Sequence, residues 1–364
     1  MSKKIDERLQ KKIYNDQDVA VEDFKCKNCG GQTVYDPKTQ KLKCRYCDSL
    51  FDLPKVQAEE QDIEKLLKQG KVWSEADVYQ CQSCGAKEIL QAGEISVLCP
   101  FCGTNSVVKV EELPGLKPDG VDTFKFDKKQ AAIKAETWAK RKHFAPNAFK
   151  KSVKAEHIHG IYNPVFTFDA KTTSTYRGRL GKNYTRTIYH NGQSQVVTET
   201  KYFNIRGTNK LDFDDLLVQA SSNIDESIIN SLQPFRTREL PAYQEEYLRG
   251  FGASAYNKSG QQCIKECREL MRSKIERNIL SQYDYDVKVN LKVQTSFSGQ
   301  TFKYVLVPIY VGHYRYRKKL YNFYVNGDSG KVAGKTPVSV FKVGLVVLLV
   351  LAIVAGLVYL MVRG

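Results

Sequence analysis

The strongest hydrophobic pattern in the chain is an uninterrupted apolar run near its C-terminus. Residues 343–362 read VGLVVLLVLAIVAGLVYLMV, 20 residues without a charged side chain. As an α-helix this run rises about 30 Å, which matches the hydrocarbon thickness of a bilayer. A buried core helix is the alternative, but core helices rarely run this long without a polar face. The pattern therefore predicts one C-terminal transmembrane helix.

The charges around this run predict its orientation. Lys331, Lys335 and Lys342 precede it, whereas only Arg363 and a glycine follow it. Positively charged flanks favour the cytoplasmic side of a membrane. Residues 1–20 are polar and hold no apolar segment of a secretory signal. We expect a single-pass protein of the cell membrane, with its large N-terminal part in the cytoplasm.

Between residues 122 and 336 the pattern alternates between the periods of helices and strands. Helical spacing occurs at 128–143 and over about 242–280. Segments rich in Tyr, Thr and Val predict strands, and these lie at 167–179, 184–206, 287–295, 303–310 and 320–325. The residues at 190–193, His-Asn-Gly-Gln, form a hairpin-turn signal. We predict one α+β domain with an antiparallel sheet and helices inserted between its strands.

Eight of the ten cysteines form four Cys-x-x-Cys pairs at a repeated spacing. Two pairs lie 14 residues apart in the first group, and the same interval separates the pairs of the second group. One spacing that occurs twice is a strong indication of metal binding. The first group consists of Cys26, Cys29, Cys44 and Cys47, and the second of Cys81, Cys84, Cys99 and Cys102.

Four thiolates at this spacing are typical of structural zinc. Zn²⁺ prefers a tetrahedron of four sulfurs, and such a site keeps no open position for a catalytic water. Gly30, Gly85 and Gly103 follow the second cysteine of three pairs and permit the positive φ that a metal knuckle needs, whereas Asp48 follows the fourth. Disulfides, free thiols and redox pairs are the alternatives, but a cytoplasmic location argues against disulfides. We predict two zinc ribbons, each with one structural Zn²⁺.

Three weaker signals favour ordinary structural interpretations. Cys263 and Cys267 lie four residues apart on a predicted helix, and small buried side chains explain them better than metal ligands. His157 and His159 would share one face of a strand, where a zinc pair is conceivable, but ordinary histidines explain them better. Residues 330–336 resemble a phosphate loop, but only three residues separate the glycines instead of four. With no other catalytic motif found, we expect a protein that is not an enzyme.

The chain is strongly basic, and this charge needs an explanation. Its formal net charge is +16, and two zinc ions with eight thiolates would lower this by 8 − 4 = 4 to about +12. Basic residues concentrate at 125–154 and again at 315–319, where Tyr314 and Tyr316 accompany them. A solvated face, nucleic acid and anionic lipid headgroups are all open. The predicted anchor places lipid headgroups nearest, so we rank them above nucleic acid.

Several short motifs, in this order, resemble a bacterial group of membrane-anchored double-zinc-ribbon proteins. They are Cys-Pro-Phe-Cys-Gly at 99–103, Leu-Lys-Pro at 116–118, His-Phe-Ala-Pro at 143–146, Gly-Ile-Tyr-Asn-Pro-Val-Phe at 160–166, Leu-Val-Pro-Ile-Tyr at 306–310 and Asn-Gly-Asp-Ser-Gly-Lys-Val-Ala-Gly at 326–334. Members carry labels for a transcription factor IIB-type zinc ribbon or a PriA-helicase-like protein. The resemblance implies membrane adaptors that act with phage-shock protein A-like and flotillin-like proteins in membrane stress.

These patterns together predict a domain order and a function. The order is a polar segment at 1–20, ribbons at 21–55 and 78–110, a helical linker at 56–77, a second linker at 111–121, the α+β domain at 122–336 and the anchor at 337–364. We expect a non-catalytic adaptor that tethers cytoplasmic partner proteins to the bacterial membrane. The alternative is a membrane-associated zinc-ribbon protein that binds nucleic acid.

Overall fold

The computed structural model describes residues 25–54, 56–67, 76–91, 98–105, 107–110, 116–153, 158–190, 193–316 and 319–363. The described strands are β1 (Thr33–Asp36), β2 (Lys41–Cys44), β3 (Leu50–Phe51), β4 (Gln61–Asp62), β5 (Ala76–Cys81), β6 (Lys87–Gln91), β7 (Val107–Val110), β8 (Gly120–Val121), β9 (Ile158–His190), β10 (Gln193–Gln219), β11 (Gly252–Ser254), β12 (Val287–Tyr316), β13 (Lys319–Asn326) and β14 (Val332–Gly334). The described helices are α1 (Ile63–Leu67), α2 (Lys128–Lys140), α3 (Asn147–Ser152), α4 (Glu226–Leu232), α5 (Gly260–Leu280) and α6 (Val340–Arg363), with a 3-10 turn at Glu245–Leu248.

Most of the strand residues in the described chain belong to one large sheet. Its path runs β14-β13-β12-β9-β11-β6-β5-β7, with β10 on β9 and with β4 and β8 on β12. The antiparallel sheet predicted from the sequence is present, but β11 on β9 and β8 on β12 are parallel, so the sheet is mixed. A separate three-stranded sheet, β1-β2-β3, forms the first ribbon.

The predicted strands are parts of much longer ones. β9 contains 33 residues and β12 contains 30, and the two predicted segments at 167–179 and 184–206 belong to the β9–β10 hairpin. His190 pairs with Gln193 on either side of the predicted turn, whose Asn191 and Gly192 lie outside the described residues. Between 182 and 190 β9 pairs with β10 alone, because the pairing of β12 with β9 begins at Gly181.

The two predicted helices are shorter than the sequence indicated. α2 begins after Asp127, whose carboxylate accepts a hydrogen bond from the Gln130 amide at 2.9 Å, and it ends at Lys140. The helix predicted over 242–280 is wrong before Gly260. Gly250 has a φ of +85°, and β11 follows it, so the chain cannot continue as a helix there. Only Ile63–Leu67 is described as helix in the predicted linker at 56–77.

β12 is buried on both faces where the sheet is broadest, and this explains its continuous apolar run. Phe302, Tyr304 and Leu306 belong to one hydrophobic cluster, together with α2, α5 and the first ribbon. Val305 and Val307 point to the opposite cluster, which contains α4 residues and three cysteines of the second ribbon, Cys81, Cys99 and Cys102. The first ribbon therefore packs into one core, whereas the second packs mainly into the other, with only Ile89 of β6 among its described residues in the first core.

Helix α6 stands apart from both cores. Its Val340–Met361 segment contains 22 residues, is buried nowhere in the described structure and is long and apolar enough to cross a membrane. An apolar helix without a covering partner is unstable in water, because its surface remains hydrated. The predicted C-terminal span is thus present as a helix that the rest of the described chain does not cover.

Candidate metal centres

The four cysteines of the first ribbon converge on one point. Cys26 Sγ lies 3.5 Å from Cys47 Sγ, and Cys29 Sγ lies 3.5 Å from Cys44 Sγ. All four sulfurs lie within 4.8 Å of one another. A disulfide requires about 2.05 Å, whereas sulfurs around a tetrahedral zinc at about 2.3 Å lie roughly 3.8 Å apart. The first tetrad can therefore hold a metal ion.

Two tight turns place these sulfurs. The Gly30 amide donates to the Cys26 carbonyl at 2.8 Å, and the Cys26 amide donates to the Gly31 carbonyl at 2.6 Å. Gly30 has a φ of +71°, and Asp48 has the same left-handed conformation at +57° in the paired turn. The backbone amide two residues after Cys26 also donates to its sulfur, at 3.4 Å. These turns confirm the positive φ expected after the second cysteine of each pair.

The second tetrad repeats this arrangement. Cys81 Sγ lies 3.6 Å from Cys102 Sγ, and Cys84 Sγ lies 3.7 Å from Cys99 Sγ. Gly85 and Gly103 follow the second cysteines with φ of +76° and +68°. The four sulfurs again lie within 4.8 Å of one another, so this group can hold a second metal ion.

A hydroxyl group supports one thiolate in each tetrad. Ser49 Oγ lies 3.1 Å from Cys47 Sγ, and this contact and the Ser49 backbone lower the pKa of Cys47 to about 6. Burial raises the pKa of Cys81, but hydrogen bonds from Thr104 and from backbone amides lower it to about 6. Both shifts favour the thiolate, which is the form that coordinates zinc.

The two tetrads differ in their surroundings. In the first, Cys29 and Cys47 are exposed, and the neighbouring Tyr46 side chain is 77% exposed. In the second, only Cys84 is exposed. Cys99 is buried against the sheet together with Ile309 and Val311 of β12. The first tetrad lies at the surface of the described structure, whereas the second forms part of a core.

β12 and β13 hold the second tetrad in place. Asn322 Nδ2 donates to the backbone carbonyl of Phe101 at 2.9 Å. The His313 ring lies so close to Gly103 that a Cβ there would approach Nε2 at 2.3 Å. His159 stacks against His313, with ring centroids 6.3 Å apart. No motif in the sequence indicates that His313 adjoins the cysteines, because only the pairing of distant strands brings them together.

The first ribbon docks through its hairpin. The Tyr35 amide donates to the Arg249 carbonyl at 3.1 Å, and Arg249 Nη1 donates to Thr33 Oγ1 at 2.8 Å. Gln40 at the hairpin turn donates to the Phe124 carbonyl at 2.7 Å. Lys38 forms an ion pair with the helix-capping Asp127, which contributes little because both groups are partly exposed. These contacts fix the ribbon while its cysteine end remains exposed.

The weaker candidates have structural roles in the described residues. Cys263 and Cys267 are buried in the α5 core, and burial raises the pKa of each thiol to about 12. His157 lies outside the described residues. The segment that resembles a phosphate loop begins in a turn, because the amides of Asp328 and Ser329 donate to Asn326 Oδ1 and Gly330 has a φ of +76°.

A row of cations on the outer face of the sheet was not predicted. Arg177 on β9 pairs directly with Arg206 on β10 and with Lys292 on β12. All three side chains are exposed, and none forms an ion pair with an acid of the described residues. Arg179 lies next to the row, over the Tyr202 ring at 5.0 Å. Strand register brings these three cations side by side, and the sequence does not specify that register.

The basic groups predicted from the sequence are only partly described. Lys154, Arg317 and Lys318 lie outside the described residues. Lys125 is not part of a solvated face, because its Nζ donates to Gln40 Oε1 at 2.8 Å. One exposed part of the first group lies around the end of α2, next to the start of α6, and another, with Lys128 and Lys129, lies at the beginning of α2.

Comparison with known proteins gives one full-length relative. The uncharacterized protein YdjG of Bacillus subtilis (strain 168) is 30% identical to this chain over 325 residues, which cover 88% of this chain and 91% of YdjG. No family model matches the chain. No solved structure matches it either. Identity at this level over nearly the whole of both chains shows common descent, and the chain belongs to the same family as YdjG.

Proposed function

We propose that this protein is a non-catalytic, membrane-anchored zinc-ribbon adaptor that tethers cytoplasmic partner proteins to the bacterial membrane. The observation that carries the proposal is α6, an exposed apolar helix of membrane-spanning length joined to a folded domain. In this proposal the helix is a single-pass anchor, and the domain before it lies in the cytoplasm. The proposed class of partner comes from the resemblance to double-zinc-ribbon proteins. This resemblance suggests phage-shock protein A-like or flotillin-like partners and a role in membrane stress.

Zinc in this proposal is structural. Four thiolates fill a tetrahedron and keep no position for a reacting water. The two tetrads would thus stabilise the ribbons, and the second would also stabilise the sheet on which it packs. We also propose the α+β class for the domain between the ribbons and the anchor, since α2 and α5 pack against the sheet.

A projecting hairpin offers a docking surface for a protein. We call residues 182–190 and 193–201 the β arm; its strands pair only with each other within the described residues. Nine residues of strand extend about 30 Å. Tyr189 is 79% exposed and Val196 is 68% exposed. Unpaired strand edges and exposed apolar side chains are the features used in β-strand addition by a partner.

Affinity isolation of the full-length protein in mild detergent, after nuclease treatment, tests this proposal. We expect a stoichiometric protein partner, identified by mass spectrometry, and its loss in the double variant Tyr189→Ser/Val196→Ser. Tyr46→Ser, an exposed aromatic on the first ribbon, is the matched control that separates the arm from the ribbon as the binding surface. Complete loss of partners on nuclease treatment would contradict the adaptor proposal.

A second candidate, nucleic-acid binding, is favoured by the cation row at Arg177, Arg206 and Lys292. Like charges directly across a sheet are destabilising, so a row of three without acids suggests an anionic ligand. The row and Arg179 line a groove of about 640 Å³. Arg177 lies 18 positions along β9 from His159, so the two residues are separated by roughly 60 Å along the strand. The Tyr314 end of β12 contacts α3, so the row is remote from the anchor along these strands.

Salt dependence distinguishes this second candidate. Phosphate contacts release counterions, so nucleic-acid affinity falls steeply as salt rises. We expect a fluorescent single-stranded oligonucleotide to bind the full-length protein with a steep salt dependence, and Arg177→Ala/Arg206→Ala to reduce the slope by about two. Salt-insensitive binding, or none, would remove this candidate.

A further inference from the structure

The start of α6 is attached to a strongly basic corner of the domain. We call residues 140–151 the α2–α3 corner; it joins the end of α2 to α3. Lys342 on α6 donates from Nζ to the Ala145 carbonyl at 2.8 Å and to Asn147 Oδ1 at 2.9 Å. The Ser339 amide donates to the Phe144 carbonyl at 2.8 Å. These bonds couple the direction of the apolar helix to the orientation of this corner.

The attachment fixes how deep the corner lies. The charge-free part of the helix begins at Val343, one residue after Lys342. The polar headgroup layer of a bilayer is roughly 5–8 Å thick on each side. Because Lys342 Nζ lies 3.4 Å or less from three corner oxygens, the corner lies in this layer when α6 spans the bilayer.

The exposed side chains of the corner suit that position. Lys140, Arg141, Lys142 and Lys151 are exposed, and the segment 128–153 holds only one acid, Glu136. Glu136 pairs with Lys140 at 2.8 Å, so three of these exposed cations have no acidic partner in the described residues.

Two exposed aromatic side chains accompany the cations of the corner. Phe144 is 46% exposed on the corner and Phe341 is 80% exposed on the first turn of α6. A mixture of cations and exposed aromatics at the end of an apolar helix is the pattern of a membrane interface.

We infer that the α2–α3 corner is a docking surface for anionic lipid headgroups, which fixes the orientation of the cytoplasmic domain on the bilayer. The inference rests on the proposed anchor and adds a lipid partner and an orientation. Each Lys or Arg near an anionic surface favours the bound state by about five-fold, so several together select an anionic leaflet. The packing of α2 through Trp138 on Phe323 then transmits this orientation to the sheet.

Hydrogen exchange on the full chain in nanodiscs tests the inference. We expect amides of residues 141–148 to exchange at least about five-fold more slowly in nanodiscs with phosphatidylglycerol than in phosphatidylcholine alone. Arg141→Glu/Lys151→Glu removes the difference. Lys128→Glu/Lys129→Glu makes the same charge change at the other end of α2, about 18 Å away, and keeps it.

Other outcomes separate this inference from the proposed anchor. If carbonate-washed membranes retain the protein but exchange at 141–148 is the same in both lipids, the lipid site is wrong and the anchor stands. If inorganic phosphate alone gives the same protection in phosphatidylcholine nanodiscs, the corner binds free phosphate and the lipid assignment is overturned. If washed membranes lose the protein, the anchor itself is wrong, and the lipid site is wrong with it.

Discussion

Asn322 on β13 donates a hydrogen bond to the backbone carbonyl of Phe101 at 2.9 Å, inside the turn that carries Cys99 and Cys102. This bond connects the second cysteine tetrad to the strand that precedes β14 and α6. We expect Asn322→Ala to lower the free energy of unfolding by about 1–3 kcal/mol, because the Phe101 carbonyl loses its buried donor. Urea denaturation of the detergent-solubilised protein measures this change.

Asn28 provides the control for Asn322. Its side chain donates to Ser49 at 2.9 Å on the exposed end of the first ribbon, where water replaces a lost partner. Asn28→Ala should therefore cost less than about 1 kcal/mol. Equal effects of the two substitutions would show that Asn322 does not join the second ribbon to the sheet.

Two knuckle glycines offer a matched pair. Both Gly85 and Gly103 have positive φ, so alanine at either costs roughly 1–2 kcal/mol in backbone strain. A Cβ at Gly85 meets nothing within 4 Å, whereas one at Gly103 overlaps the His313 ring. We expect Gly103→Ala to lose the second metal and Gly85→Ala to keep it, as measured by zinc content per chain. Loss of metal in neither variant or in both would contradict the packing of His313 on this turn.

The two metals should differ in their effect on stability. We expect two zinc ions per chain, and one after either Cys29→Ser or Cys84→Ser. Only Cys84→Ser should lower the melting temperature of the sheet, because the second tetrad belongs to its core. Cys263→Ala removes a buried thiol that is not a ligand and should keep both ions. A change in zinc content in that control would reassign the ligands.

Asp119 should make stability depend on pH. Burial raises the pKa of Asp119 to about 6, although its bond from the Tyr304 amide at 2.8 Å opposes the shift. The folded state thus binds a proton that the unfolded state releases near pH 4, so stability falls as pH rises from about 4 to about 6. Asp119→Asn removes this dependence and should be more stable than the wild type at pH 7, by up to about 2–3 kcal/mol.

The difference in the free energy of unfolding between the wild type and Asp119→Asn separates the effect of Asp119 from the effects of other acids. It should grow from pH 5 to pH 6.5 and then remain constant. The protein should be kept above pH 5, because protonation of thiolates releases metal. A difference that is constant across this range would show that Asp119 is ionised in the folded state throughout.

The two cysteine tetrads and the long apolar helix could be predicted because their signals are local. Cysteine spacing identified all eight residues of the two tetrads, and an uninterrupted apolar run identified α6. The contacts of these elements depend on strand register, which alternating Tyr, Thr and Val residues do not fix. The pairing of Arg177 with Arg206 and Lys292 and the approach of His313 to Gly103 therefore could not be predicted.

The length of a strand is equally difficult to read from the sequence. The predicted hairpin turn separates β9 from β10 where expected. Gly178 and Gly181, however, lie within β9 and do not end it. A Cβ at Gly178 would approach the Asn290 carbonyl at 2.6 Å, so glycine here permits close strand contact.

The most direct test of the adaptor proposal is the location of its partner. Quantitative mass spectrometry would compare washed membranes of cells that express the full chain with those of cells that express residues 1–336. We predict that the partner isolated with the full chain moves from the membrane to the soluble fraction, with the protein, when 337–364 is absent. A partner that stays on the membrane without the anchor would contradict the account.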